Sequence, residues 1–145
     1  MTREVTTIEA RTSIAAALEN YFGPNQSHRA FPVVRDGLFL GMVDRAILVK
    51  HAEISRDLCV SELFGENLPV MALPDETCRV VATRLAVHHL ERLPVVKDAR
   101  SRELLGLVAR SDLIKPSLSL FDEEHHYEQF NQMPFGNLHQ ALKRR

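Results

Sequence analysis

Seven histidines, two cysteines and nineteen acids are the side chains from which a reactive or metal-binding site could be built. Their spacing argues against most such sites. His88-His89 and His125-His126 are adjacent pairs, and on a helix neighbouring rings point apart and chelate poorly. Glu124, His125 and Glu128 share a helical face and could hold a metal, but a solvated helix surface is the simpler reading. Cys59 and Cys78 stand alone in apolar surroundings, without the second pair of ligands that a structural zinc site needs. They suit reduced, buried thiols in a reducing compartment. No nucleophile–base pair is legible, so no catalytic residue is assigned and the chain reads as a non-enzyme.

The bulk numbers narrow the partners. The chain has 145 residues, 45% of them hydrophobic, with a formal net charge of -1. That is enough apolar content for one compact core, and no basic excess to grip nucleic acid or an anionic membrane. The acidic stretch Phe121 to Glu128 and the basic Lys143-Arg-Arg145 read as solvated surface. No apolar run approaches the roughly 18 residues of a membrane helix. The N-terminus lacks the charged-then-apolar layout of a signal peptide. The expectation is a cytoplasmic domain that neither binds nucleic acid nor inserts in a membrane.

The positioning elements emerge when the chain is compared with itself. Arg29-Ala-Phe-Pro-Val-Val-Arg-Asp36 returns as Glu91-Arg-Leu-Pro-Val-Val-Lys-Asp98. Each copy leads into an apolar strand with one glycine, Leu38 to Val43 and Leu104 to Val108. Upstream, Thr6 to Ser13 precedes a helical run Ile14 to Phe22, and Val70 to Thr77 precedes another from Cys78 to His88. Each repeat therefore reads strand-helix-strand-strand-helix, an α+β fold of two tandem repeats packed as one module with pseudo-two-fold symmetry. The expected limits are 5–55 for the first repeat, 56–116 for the second and 117–145 for a C-terminal helix and tail.

Local signals support those elements. Ser13 can cap a helix with Ile14, Ala17, Leu18 and Phe22 on one face. Thr77 or Asp75 can cap another with Val81, Leu85 and His88 or His89 along a face. Asp36-Gly37 marks a tight hairpin, whereas the second hairpin has a longer loop, Lys97 to Glu103. Leu58 to Phe64 reads as a short helical connector. Leu120, Tyr127 and Phe130 form a narrow apolar stripe beyond Pro116. A half of about 60 residues buries too little surface to be comfortable alone, so the halves should fold together. Leu18 and Leu85 are expected on exposed helix faces that a second copy would cover, giving a homodimer.

These residues resemble CBS domains, in the tandem arrangement called a Bateman module. The likeness rests on Phe31-Pro-Val-Val34 and Leu93-Pro-Val-Val96, the strand glycines Gly41 and Gly106, and the helix openings near Arg45 and Asp112, and it spans roughly residues 5 to 116. A narrower likeness runs from Arg110-Ser-Asp-Leu-Ile-Lys-Pro-Ser117 to Leu120-Phe-Asp-Glu-Glu-His125. It resembles the end of the cytosolic tail in bacterial ClC-type chloride channels or transporters. It implies that the chain is a fragment attached to a membrane channel domain.

The CBS resemblance implies a regulatory role and, in many members, an adenine nucleotide (ATP, ADP or AMP) in a cleft. The family's motif places a Ser or Thr three positions after the strand glycine and an Asp six positions after it. The hydroxyl and free amides meet phosphate, and the carboxylate accepts the ribose hydroxyls. After Gly106 come Ala109 and Asp112: the ribose acceptor is present and the phosphate hydroxyl is missing. Arg110 and Ser111 are the residues that could compensate, and Leu93 and Pro94 the adenine contacts. After Gly41 come Asp44 and Ile47, so the acceptor is gone and an acid faces the phosphate position. Two readings of Asp112 stay open: ribose acceptor, or helix cap alone. Leu93-Pro94 fits strand-start geometry equally well. The functional alternatives are a stand-alone adenosyl-binding protein and a ligand-free dimerisation module.

Overall fold

A computed structural model describes residues 1–24, 29–65 and 68–114. The expected C-terminal helix and tail, 117–145, lie outside the described residues. So do Glu124, His125 and Glu128, and the stripe of Leu120, Tyr127 and Phe130.

The chain forms two compact units whose limits cut across the linear repeats. One comprises Thr6–Val70 with Ser101–Leu104. The other comprises Met1–Val5, Met71–Arg100 and the residues from Leu105 onward.

In the unit that holds the first repeat, β1 (Ile8–Glu9) runs parallel to β2 (Ala30–Arg35), and β2 pairs antiparallel with β3 (Leu38–Asp44). Phe31 faces Val43, and a bulge falls between Val33 and Val34. Asp36 and Gly37 connect the last two strands with φ of 52° and 80°. Two positive angles are what a type I′ turn demands, and Asp-Gly accommodates them with little strain. Helix α1 (Ile14–Tyr21) starts where the Ser13 hydroxyl accepts the Ala16 amide at 3.1 Å. Its Ile14 and Ala17 join Ile8, Phe31, Val33, Val43, Val60 and Leu48 of α2 (Arg45–Ala52) in a buried core. The Tyr21 and Phe22 rings meet Phe31 edge-on, with centroids 5.5 and 5.2 Å away.

The connector expected at Leu58 to Phe64 is a 3-10 turn at Val60–Leu63. It is stitched to the segment before α1: the Ile14 amide donates to the Leu58 carbonyl, and the Val60 amide to the Thr12 carbonyl, both at 2.8 Å. The Phe64 ring then lies so close over Gly41 that any Cβ there would meet it. At the start of β3, the Phe39 amide donates to Arg102 at 2.8 Å, and the Leu104 amide donates to Gly37 at 3.1 Å.

In the other unit the leading strand shrinks to one bridge. Ala72 pairs with Val95, donating to the Pro94 carbonyl at 2.8 Å and accepting from the Val96 amide at 2.9 Å. Helix α3 (Cys78–Val87) is capped by Thr77, whose hydroxyl accepts the Val80 amide at 3.2 Å, so Thr77 and not Asp75 opens it. Cys78, Val81 and Leu85 are its buried face. Two expectations are corrected here. His88 and His89 do not continue that face: the helix ends, His89 adopts φ 53° and both are exposed. Leu85 is fully buried and Leu18 of α1 is half-buried against its own core, so neither offers the expected exposed face; Val80 and Val87 are the large apolar residues that α3 exposes. Strands β4 (Arg92–Val96) and β5 (Leu104–Ala109) pair with each other. Thr2 bridges the β5 residue Leu107 through hydrogen bonds of 2.8 and 2.9 Å.

Candidate functional site

The Asp112 region begins with β5, which runs from the enclosed Gly106 to Ala109 and turns directly into the short helix α4 (Arg110–Ile114). Glycine at 106 is required by packing, because a Cβ would meet the Thr2 carbonyl oxygen. Ala109 has no side-chain oxygen to cap α4. Instead Asp112, in the first turn of α4, reaches back and its Oδ2 accepts the Ala109 amide at 2.8 Å. This is the returning half of a capping box. The main-chain nitrogen of Met1 lies 3.6 Å from the same oxygen. Among the described residues Oδ1 has no partner, and the side chain is 32% exposed. Among the described residues the carboxylate is thus held through one oxygen and has no partner at the other.

The first repeat reverses this arrangement. Asp44 occupies the position equivalent to Ala109 and caps α2, its Oδ1 accepting the Ile47 amide at 2.8 Å. Ile47 holds the position equivalent to Asp112 and exposes an apolar side chain. The acid expected to face a phosphate is therefore engaged at a helix start.

The remaining sequence-derived candidates are distributed unevenly. Arg110 and Ser111 are exposed at the start of α4. The Arg110 amide donates to the Glu91 carbonyl at 2.9 Å, and its guanidinium lies 4.0 Å from the Glu91 carboxylate. An exposed pair at that distance contributes little, which leaves the guanidinium available. Leu93 is fully enclosed and Pro94 is buried in β4, so neither side chain presents open surface in this arrangement.

Two features escape sequence reasoning. One is an anchor for the loop before α3. Arg84 donates to both Glu76 oxygens at 2.7 and 2.6 Å and to the Met71 carbonyl at 2.7 Å, while Glu76 accepts the Leu73 amide at 2.8 Å. The hydrogen bonds from Arg84 hold the Glu76 carboxyl below its ordinary range despite partial burial. The residues are eight apart and no helical spacing announces the pair. The other is a cavity of about 630 Å³ within the first unit, lined by Phe22, Gly23, Pro24, Arg29, Asp44, Arg45 and Ala46. The one signal in the sequence is a charge reversal, Arg29 aligning with Glu91 across the repeat.

Cys78 is buried and its thiol is pushed up to about 11 by desolvation, which makes it a poor nucleophile. Cys59 is half-buried. Among the described residues no group of three His, Cys, Asp or Glu side chains could hold a metal ion. Nor is any described helix long and apolar enough to cross a membrane.

The CBS domain family profile matches residues 1–53 and again 61–118. Solved structures share the fold. CBSX2, crystallised in complex with AMP, is 23% identical with a TM-score of 0.64, over 81% of this chain and 92% of that one. An uncharacterized conserved protein from Pyrococcus horikoshii is 30% identical with a TM-score of 0.60, over 75% of this chain and 47% of its own. The CBS pair domain of a putative Mg2+ transporter from Shewanella oneidensis is 21% identical with a TM-score of 0.58, over 75% and 61%. No curated protein gives a match.

Proposed function

Because the chain belongs to the CBS domain family, we propose that it is a regulatory CBS pair that binds an adenine nucleotide with Asp112 as the ribose acceptor. One observation carries this reading: Asp112 is fixed by the Ala109 amide through Oδ2 and keeps Oδ1 open at a partly exposed position. A carboxylate held in place needs little further ordering to accept a ribose hydroxyl. Arg110 and Ser111 stand beside it to meet a phosphate. With no hydroxyl at Ala109, binding is weaker by roughly 1.5–3 kcal/mol, the worth of one hydrogen bond to a charged group. The AMP complex of CBSX2 supports the ligand class.

Regulation then works by population shift: the ligand stabilises one arrangement of an attached domain or partner over another. We assign that attached domain to a ClC-type anion channel or transporter on the sequence from Arg110 to His125, with self-association of the module as part of the same assembly. A transporter-linked CBS pair among the similar folds supports the coarser half of this assignment.

A second reading rests on the cavity of the first unit. Arg29 and Arg45 line it, and neither has an ion-pair partner among the described residues. Asp44, the acid that also lines it, turns one oxygen to the Ile47 amide. The net positive lining suits a phosphate group. Calorimetry with AMP, ADP and ATP up to millimolar concentration separates the readings. Loss of binding in Asp112→Ala supports the first, and loss only in Arg29→Ala supports the second. Silence from every variant leaves a ligand-free assembly module.

A further inference from the structure

The groups that enclose Asp112 include the first residues of the chain. Thr2 and Leu107 exchange two main-chain hydrogen bonds, which add the N-terminal segment to the edge of β5. Gly106 lets that segment approach as closely as it does, since a Cβ would meet Thr2 and would crowd the Met1 side chain at 3.3 Å. The Met1 side chain is only 10% exposed, and its main-chain nitrogen lies 3.6 Å from Asp112 Oδ2. That oxygen already accepts the Ala109 amide. A hydroxyl donating to Oδ2 needs to come within about 2.8 Å, into the space the Met1 nitrogen borders. A ribose offers two adjacent hydroxyls, and a carboxylate grips both best with both oxygens available. With Met1 in place, only Oδ1 is open.

We propose that Met1 and Thr2 form a tethered guard on the Asp112 carboxylate, which a ribose diol must displace to bind through both oxygens. The inference rests on the Asp112 reading above and adds a regulatory consequence. The guarded form withholds part of the site, so apparent affinity falls by the fraction of molecules in which the segment is lifted. Anything that pulls on the chain near Met1 then tunes nucleotide affinity without touching the nucleotide.

The test uses AMP as probe on the full chain, the Thr2→Pro variant and the Gly106→Ala variant. Proline at position 2 removes the amide that donates to Leu107 and leaves β5 unaltered. The expected result is AMP binding about fivefold tighter than wild type, the equivalent of one net hydrogen bond. Gly106→Ala lifts the same segment from the other side and should tighten binding in the same direction. A readout on the unmodified chain is hydrogen exchange. The Leu107 amide, which donates to Thr2, should lose protection when AMP is added, while the Val96 amide, bonded to Ala72, keeps its protection. Equal AMP affinity in Thr2→Pro and wild type, with Leu107 protected throughout, would overturn the guard and leave the Asp112 site standing. Absence of AMP binding in all three chains would overturn the site itself, and the guard with it.

Discussion

The Asp112 carboxylate accepts the Ala109 amide at 2.8 Å, and the first repeat runs the same hydrogen bond in the opposite direction, from the Ile47 amide to Asp44. The two acids stand three positions apart in the aligned repeats, each fixing the start of the helix it belongs to. The duplication preserved a cap at both helix starts and exchanged the position that provides it. In the first repeat the carboxylate sits at the residue before the helix, whereas in the second it sits in the helix's first turn. The asymmetry between the repeats is thus a difference in how each one caps a helix.

Ala109 is a poor N-cap, and Ala109→Thr should correct that. A hydroxyl there can accept the Asp112 amide and raise stability by about 0.5–1.5 kcal/mol. The same hydroxyl can donate to a phosphate, so AMP should bind more tightly while adenosine changes little. Thermal melts and paired titrations check both effects. Equal gains for AMP and adenosine would mean that the residue does not face phosphate.

The Glu76–Arg84 pair should set an acid limit on stability. Hydrogen bonds from Arg84 keep the folded pKa of Glu76 below its ordinary unfolded value. The stabilisation is therefore fully present above that value and is lost as pH falls through the lower folded one. Arg84→Met removes the pair and the donor to Met71. It should cost about 2–3 kcal/mol at neutral pH and flatten the acid side of a melting-temperature profile. An unchanged acid slope in Arg84→Met would show that other carboxylates dominate it.

Gly41 should tolerate no side chain while Phe64 lies over it. Gly41→Ala puts a Cβ into the ring and should destabilise by about 1–3 kcal/mol, the usual cost of overpacking. Phe64→Leu makes room, so the double variant should lose less than the sum of the two single changes. Strict additivity in denaturant titrations would separate the two residues.

Much of this fold was legible because its signals are local. Ser13 and Thr77 announce helix starts, Asp36-Gly37 announces a turn, and the repeated Pro-Val-Val segments announce paired strands. What stayed hidden depends on which distant segments meet. The motif glycines read as permissive for helix–strand packing, yet Gly41 receives a ring and Gly106 a main-chain carbonyl. Leu85 carries the same side chain whether it faces a partner or its own core, and periodicity alone placed it wrongly. At the candidate site, the spacing from Gly106 to Asp112 was readable, whereas Met1 beside the carboxylate was not, because one hundred and eleven positions separate the two residues. Arg29 and Arg45 lie at the start of separate elements, and only folding brings both to one cavity.

A chain ending at Ser55 should fail to fold, although the whole first repeat is present. The compact unit built on that repeat also contains the residues through Val70 and a strap from Ser101 to Leu104. Truncation removes Val60 from the buried core and Phe64 from above Gly41. It also removes the carbonyls that accept the Ile14 and Ala15 amides, which belong to Leu58 and Arg56, and the Arg102 carbonyl that accepts from Phe39. Each bond contributes about 1 kcal/mol net; losing several together with a core residue approaches the whole stability of a small domain, about 5–15 kcal/mol. Extending the chain to residue 70 restores the connector and should recover part of the structure. A chain spanning 1–116 restores the strap as well and should unfold in one cooperative transition. Circular dichroism melts of the three chains decide the matter: a sharp transition from the shortest would mean that the first repeat is self-sufficient.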